Sequence, residues 1–176
     1  VSIIPRGQSL GVTITVPDED RFHHGRDQFE RELVMTLGGR AADVLVYNQP
    51  YAGAESDLRK ATRRARMMVA HWGMSDRVGP MAFRTGEEHV FLGKEIHEAR
   101  DFSEGMALVI DEEVSRILRD ADHKAFGLLQ SNRSLLDAFV DELTQREEMS
   151  RPEIEEVLVK AGWVGEPSTN LEAATT

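Results

Sequence analysis

The sequence contains no cysteine, few aromatic residues and no long apolar run. Without cysteine the chain has no disulfide framework, no thiolate-bound zinc or iron–sulfur cluster and no thiol nucleophile. Any metal must therefore be bound by histidine or carboxylate. A membrane-spanning helix needs roughly 18 or more consecutive apolar residues, and no segment approaches that length. We therefore expect this piece of chain to be soluble.

Basic residues are also fewer than acidic ones. The chain has 21 lysines and arginines and 31 aspartates and glutamates, which gives a formal net charge of −10. Nonspecific nucleic-acid binders need a basic surface that displaces counterions from phosphates, so this balance argues against nucleic acid as a partner. The 176 residues, of which 40% are hydrophobic, are enough for one domain with a sizeable core.

The first residues predict β structure. Residues 1–7 and 10–17 alternate apolar and β-branched side chains around glycine and proline, which favours two short strands. Pro5 and Pro17 cannot donate a backbone hydrogen bond, so they belong at strand ends or on an edge. An edge strand can still accept another chain.

Helical periodicity governs the stretch that follows. Asp27 and Glu30 have the spacing of a capping box and predict the start of a helix. Apolar residues then recur every four positions and predict one buried stripe: Phe29, Leu33, Leu37, Ala41 and Leu45. The small residues at 38–42 predict that another backbone packs closely against this helix.

Residues 48–53 are predicted to form a loop before a second helix. The apolar residues of 55–72 lie on one helical face, and Gly73 is expected to end this helix. Residues 75–101 are rich in glycine and contain only short apolar pieces. They are expected to form loops that could include a strand.

The C-terminal half predicts a helical hairpin or small bundle at about residues 103–162. Ser103 is a suitable N-cap for a long amphipathic helix, and a second helix follows Asn132. Ser150 and Glu153 form a capping box that opens a third helix. The predicted fold is therefore mainly α with a small N-terminal β element.

The last residues, 164–176, lack helical periodicity, and Val164 and Leu171 are their only large apolar side chains. We expect them to form a disordered tail.

The zinc-peptidase motif His-Glu-x-x-His does not occur. In that motif two histidines on one helical face bind the metal and the glutamate acts as general base. The nearest string, residues 97–101, has Asp101 in place of the second histidine. Short motifs of this kind arise readily by chance, so we interpret the string as a coincidence. His23 and His24 are adjacent in a polar stretch and point apart, which favours solvated side chains.

The second predicted helix has two features of interest. Its basic residues could suit phosphates or an acidic neighbour: Arg59, Lys60, Arg63, Arg64 and Arg66. Since no aromatic residues are interleaved, a solvated face or pairing with an acidic cluster such as residues 111–113 is the better interpretation. Asp57 lies in the first turn, where the helix dipole favours an ionised carboxylate. Taken alone, Asp57 is a charge that stabilises the start of the helix.

Several segments together resemble one family, the FtsH ATP-dependent zinc metalloproteases. They include VSIIPRG at residues 1–7, LGGRAA at 37–42, GAESDLRKAT at 53–62, GMSD at 73–76 and IDEEV at 110–114. They occur in the family's order and at similar spacing, and they cover roughly residues 1–160. This agreement is more specific than any single short motif.

The resemblance implies a peptidase-type domain over residues 1–163, taken from a longer protein with a membrane anchor. In that family an AAA+ ring uses ATP and Mg²⁺ to thread polypeptide substrates into a hexameric ring of zinc peptidase domains at the cytoplasmic face of the membrane. The subunits of the ring can be of one type or several. The His-Glu-x-x-His helix would precede Val1, so we expect no catalytic residue here, and neither tight Zn²⁺ binding nor proteolysis by this chain alone.

The same resemblance assigns site residues. Asp57 matches the third Zn²⁺ ligand, and two imidazoles with one carboxylate leave a fourth position for a water whose pKa the zinc lowers to about 7. Asp43 stands where the family usually has glutamate, a residue suited to orienting a ligand histidine, although Val44 departs from the family pattern. The edge strand beside the family's cleft corresponds to Leu10, Gly11, Val12 and Thr13. An extended substrate could add there by β-augmentation.

Two other interpretations stay open. The chain could belong to a non-catalytic FtsH-like structural or assembly subunit that has lost the upstream motif, although an intact Asp57 weighs against this. Alternatively, residues 103–162 could form an independent interaction module. Their apolar faces would then have to be buried without the N-terminal half.

Overall fold

The computed structural model describes residues 1–5, 25–83 and 101–164, together with the backbone of 89–91 and 94–96. This part of the chain contains five α-helices: α1 (Arg26–Tyr47), α2 (Glu55–Ala70), α3 (Glu104–Ser131), α4 (Arg133–Arg146) and α5 (Arg151–Lys160). A 3₁₀ turn, Ala52–Ala54, leads into α2. Two antiparallel strands, β1 (His89–Phe91) and β2 (Lys94–Ile96), lie between α2 and α3. The prediction of a mainly helical fold is confirmed.

The N-terminal β element is not supported by the described residues. Within residues 1–5, Ser2 forms a single antiparallel bridge with Glu148, and Ile3 N–H donates to the Glu147 carbonyl at 2.9 Å. Pro5 has no N–H with which to extend such a ladder. The second predicted strand, residues 10–17, lies outside the described residues. The two strands that do form fall within 75–101, where loops that could include a strand were predicted.

The chain divides into two compact units, Arg21–Ser131 and Val1–Asp20 with Asn132–Thr176. We call their described parts the α1–α3 unit and the α4–α5 unit. Because α3 packs on α1 and α2, it belongs to the first unit. The predicted helical subregion 103–162 is therefore divided between the two units.

The core of the α1–α3 unit begins with the predicted stripe of α1. Phe29, Leu33, Leu37 and Ala41 are buried, whereas Leu45 is only half-buried. Phe29 also stacks on Trp72, with ring centroids 4.6 Å apart. Buried residues of α2 and α3 complete the cluster: Ala61, Ala65, Met68, Val69, Ala70, Ile110, Val114, Ile117 and Ala121.

The predicted capping box at the start of α1 is wrong. Gly25 is the N-cap, and no side chain caps the helix. The Glu30 carboxylate instead accepts a hydrogen bond from Arg26 Nε at 3.1 Å and pairs with Lys124 at 3.7 Å. Because the helix begins at Arg26, Asp27 lies inside the first turn rather than at the N-cap, and Glu30 lies beyond the third helical residue that a capping box requires.

The prediction that another backbone packs closely against the small residues at 38–42 is not confirmed at Gly38 and Gly39, although Ala41 is buried. A Cβ placed on either glycine would meet no heavy atom within 4 Å. Gly73, by contrast, follows α2 with φ +60°, and a Cβ there would lie 3.2 Å from Pro80 Cα. This glycine accommodates both a left-handed backbone and a close chain crossing, as expected for the residue after a helix end.

The helix starts predicted in the C-terminal half are confirmed. Met106 N–H donates to Ser103 Oγ at 3.2 Å at the start of α3. At α5 the Glu153 carboxylate accepts from the Ser150 N–H at 2.8 Å, so the capping box forms. The core of the α4–α5 unit is small and consists of Leu143, Met149 and Val157, against which Val1, Ala138, Phe139 and Ile154 pack. None of the helices described combines the length and apolar composition required to cross a membrane.

Candidate metal-ligand site

Asp57 lies where the sequence predicted, in the first turn of α2. The short 3₁₀ turn Ala52–Ala54 brings the chain into the helix, and the buried Ala54 is its N-cap. No side chain caps α2, and the Asp57 carboxylate lies at the positive end of the helix dipole. Asp57 is thus on a rigid element close to a helix start.

The Asp57 carboxylate is accessible. Its side chain is 44% exposed, and Lys60 Nζ donates to Oδ1 at 3.1 Å. The lysine side chain is 71% exposed, and an ion pair in such a solvated position is worth little. The lysine would therefore not prevent the carboxylate from binding a stronger cation.

The described residues do not form a complete metal site. No group of three histidine, aspartate or glutamate side chains in this part of the chain could hold a metal ion. A catalytic zinc site has three protein ligands and an open position. Asp57, as an accessible carboxylate, has the chemistry of one zinc ligand. Its role as a ligand remains a prediction.

The other two predicted site elements do not meet Asp57 in the described residues. Asp43 is half-buried on α1, and no hydrogen bond or ion pair joins it to Asp57 or to another described side chain. Its role in orienting a ligand remains a prediction. The substrate strand Leu10–Thr13 lies outside the described residues, as do His97 and the three residues after it.

The basic side chains of α2 are largely paired with acids. Arg66 pairs with Asp111 of α3 at 2.8 Å, Arg59 pairs with Glu55 at 2.6 Å, and Arg64 pairs with Glu32 of α1. The interpretation that this helix faces an acidic cluster is therefore confirmed for Arg66. A helix whose cations are neutralised in this way is a poor phosphate surface.

One polar cluster was not found by sequence reasoning. Glu113 of α3 is only 4% exposed, and it accepts hydrogen bonds from Ser75 Oγ at 2.8 Å and from Arg116 Nε at 3.1 Å. Ser75 Oγ also accepts from the Val78 N–H at 3.3 Å. The Arg116 hydrogen bonds, which outweigh the opposing effect of burial, hold the pKa of Glu113 below its ordinary value. Glu113 thus fixes the loop after α2 to α3.

A signal for this cluster was present in the sequence. Glu113 falls on the apolar face defined by Ile110, Val114 and Ile117, where a charged residue needs a partner. Ser75, its partner from the loop, is distant in sequence and could not be identified from periodicity.

Comparisons with known proteins agree with this architecture. Residues 1–157 match the sequence profile of Peptidase family M41. The ATP-dependent zinc metalloprotease FtsH 1 of Rhodopirellula baltica is 49% identical over 158 residues, which cover 90% of this chain and 24% of that protein. FtsH 4 of Sphaerobacter thermophilus has the same identity and coverage. FtsH of Nitrosococcus oceani is 43% identical over 99% of this chain and 27% of its own length.

The chain therefore spans about a quarter of the length of each of these relatives. Identity of 43–49% over nearly the whole chain, together with a profile match to 157 residues, is far beyond what a short motif provides. The chain belongs to peptidase family M41.

Proposed function

We propose that this chain is the larger part of the peptidase domain of an ATP-dependent zinc metalloendopeptidase. Its relatives in Rhodopirellula baltica and Nitrosococcus oceani are named ATP-dependent zinc metalloproteases. Asp57 supplies one zinc ligand, and two histidines and a general-base glutamate come from a preceding segment of the longer protein. Bound zinc would supply Lewis-acid activation of water for hydrolysis of a peptide bond.

The accessible Asp57 carboxylate in the first turn of α2 is the observation that carries this proposal. A ligand must be ionised and must present an oxygen to the metal, and Asp57 is 44% exposed on a rigid helix. Within the part of the chain that the structure describes, no group of three metal-binding side chains could compete with Asp57 for zinc. As part of this proposal, we expect this chain alone neither to bind zinc tightly nor to cleave protein.

The wider assembly is part of the same proposal. The longer protein would thread polypeptide substrates with ATP and Mg²⁺ into a ring of six subunits, held at the cytoplasmic face of a membrane by its own anchor. The relatives are named ATP-dependent zinc metalloproteases, which supports the coupling of ATP to zinc-dependent proteolysis.

The test is to express the native reading frame with its upstream segment and to measure bound zinc and casein hydrolysis. Asp57→Asn should remove more than 90% of the activity. It should weaken zinc binding by at least the roughly 10-fold to 100-fold that loss of a residue supporting a ligand costs, because here a direct ligand is replaced by a poorer one. Glu55→Gln is the matched control, since Glu55 is also an exposed carboxylate in the first turn of α2. It should retain both activities.

Three outcomes would contradict the proposal. Equal zinc affinity for the Asp57→Asn and Glu55→Gln variants would remove Asp57 from the metal site. An upstream segment without zinc-binding histidines would instead favour the non-catalytic assembly subunit. EDTA-sensitive proteolysis by the 176-residue chain alone would show that the ligands lie within it.

A further inference from the structure

A groove lies between the three helices of the α1–α3 unit. Leu37 of α1, Leu58 of α2 and Leu118 of α3 line it together with Arg40, Arg119 and Asp122, and its volume is about 250 Å³. Leu58 is 42% exposed although it is apolar. The accessible apolar surface of the groove therefore comes from Leu58 and the half-buried Leu118, whereas Leu37 is buried.

The charges at the groove are unbalanced. Arg40 pairs with Asp122 at 2.5 Å, so these two charges neutralise each other. Arg119 is exposed on α3, and within the described residues it has no acidic partner. Among the described residues, the groove lining therefore carries one positive charge beyond the Arg40–Asp122 pair, in a chain whose net charge is −10.

The size of the groove limits what it can hold. Small-molecule and cofactor sites typically have volumes of about 300–1,000 Å³, and this groove is smaller. It has room for one or two side chains. A guanidinium at its rim would form charge-assisted hydrogen bonds to a carboxylate, in a geometry that can be bidentate.

We propose that this groove binds a segment of polypeptide in which an apolar residue is followed by an acidic one. The apolar side chain contacts Leu37, Leu58 and Leu118, and the acidic side chain pairs with Arg119. Leu58 follows Asp57 in the sequence, so the groove uses a residue of the same helix as the proposed zinc ligand. In taking the bound segment as part of a polypeptide substrate, the inference rests on the proposed peptidase function. The groove would then give the enzyme a preference for substrates in which an acidic residue follows an apolar one.

The preference can be measured by titrating the ¹⁵N-labelled 176-residue chain with two peptides in an NMR experiment. Both peptides are acetylated and amidated, and they differ only in having aspartate or lysine after a phenylalanine. The aspartate peptide should bind about threefold to fivefold more tightly at low salt, the range expected for a partly exposed ion pair. The amide shifts of Leu58, Leu118 and Arg119 should change most.

Charge reversal at one arginine provides the decisive variant. Arg119→Glu should reverse the order of the two peptides, and Arg119→Lys should keep it. Arg63→Glu is the matched control, because Arg63 is also exposed, has no acidic partner in the described part of the chain and lies outside the groove lining. It should leave the order unchanged. Leu58→Ala should weaken both peptides by the same factor.

Equal binding of the two peptides, absence of binding, or equal effects of Arg119→Glu and Arg63→Glu would overturn the inference.

A third peptide has alanine in place of aspartate and a free C-terminal carboxylate. Tighter binding of that peptide than of the aspartate peptide would also overturn it, because the groove would then select a chain end. These titrations need neither zinc nor cleavage, so their failure is distinguishable from failure of the proposed function.

Discussion

The α1–α3 unit and the α4–α5 unit are both helical, but they bury very different amounts of apolar surface. Among the described residues, the first unit has a cluster of thirteen buried apolar side chains, whereas the second has three. Hydrophobic stabilisation scales with the apolar area removed from water. We therefore expect the free energy of unfolding to be concentrated in the α1–α3 unit.

Their charges are arranged differently as well. In the α1–α3 unit ion pairs join separate elements, such as Arg40 with Asp122 and Arg66 with Asp111. In the α4–α5 unit most pairs lie within one helix at a spacing of four residues: Arg133 with Asp137, Arg146 with Glu142, Arg151 with Glu155 and Lys160 with Glu156. Pairs within one helix contribute only about 0.3–0.5 kcal/mol each. The second unit therefore depends more on local helix stability than on contacts between distant residues.

The two tryptophans allow this comparison to be tested directly. Trp72 lies in the α1–α3 unit, where it stacks on Phe29, and Trp163 lies in the α4–α5 unit. Since the chain has two tryptophans, Trp72→Phe and Trp163→Phe variants each leave one fluorescent reporter. Urea titrations of the two backgrounds report on the units separately.

The largest expected effect is that of Leu33→Ala in the core of the α1–α3 unit. Leu33 is 1% exposed, and its truncation should lower the free energy of unfolding reported by Trp72 by about 4 kcal/mol, because lost burial adds to the cost of a cavity. Val157→Ala in the α4–α5 unit should cost about 2 kcal/mol, read from Trp163. Equal losses reported by both tryptophans for each variant would show that the chain unfolds as one unit.

Removing the buried charge of Glu113 should have the next largest effect. Glu113→Gln weakens the hydrogen bonds from Arg116 and Ser75, and we expect a loss of about 2 kcal/mol in the Trp72 transition. Asp120→Asn is the matched control because Asp120 also pairs with Arg116, but in an exposed position. It should cost less than about 0.5 kcal/mol. Similar losses for the two variants would contradict the role assigned to Glu113.

The same residue predicts a pH dependence with a definite sign. The pKa of Glu113 is lower in the folded state than its ordinary value of 4.5, so its contribution is fully present above that pH. It is lost as the pH falls through the folded-state pKa. Unfolding titrations between pH 6 and pH 3 should therefore show a smaller loss of stability for Glu113→Gln than for the unsubstituted chain. Parallel curves would exclude Glu113 as a source of acid sensitivity.

The sequence predicted most helices because their signals are local. The stripe at Phe29, Leu33, Leu37 and Ala41 and the N-cap Ser103 follow from periodicity and capping chemistry. The capping box predicted from Asp27 and Glu30 was wrong because the helix begins one residue before Asp27, so that Gly25 is the N-cap. The spacing of two residues does not determine at which residue the folded chain begins its helix.

The same distinction applies to the candidate site. Asp57 was found through a resemblance over many segments, and the structure places it accessibly at a helix start. The contacts of Glu113 with Ser75 and the groove that joins Leu37, Leu58 and Leu118 depend on how three helices pack. No periodicity in one segment encodes such tertiary contacts, so only the structure reveals them.

The smallest predicted effect concerns local stability in the α4–α5 unit. Ser150 caps α5, where its hydroxyl donates to the Glu153 carboxylate at 2.6 Å. Ser150→Ala should cost about 1 kcal/mol in the Trp163 transition, the usual value for an N-cap. Ser134→Ala, an exposed serine in the first turn of α4, is the matched control and should change stability by less than about 0.5 kcal/mol.

The size of this effect relative to the core truncation is informative. If the α4–α5 unit depends on local helix stability, Ser150→Ala should cost about half as much as Val157→Ala in the same unit, although it removes no buried apolar surface. Amide hydrogen exchange should then accelerate in the first turn of α5 and leave α1 unchanged. Acceleration throughout both units would instead show that the cap stabilises the chain as a whole, and the contrast between a packed unit and a locally stabilised unit would not hold.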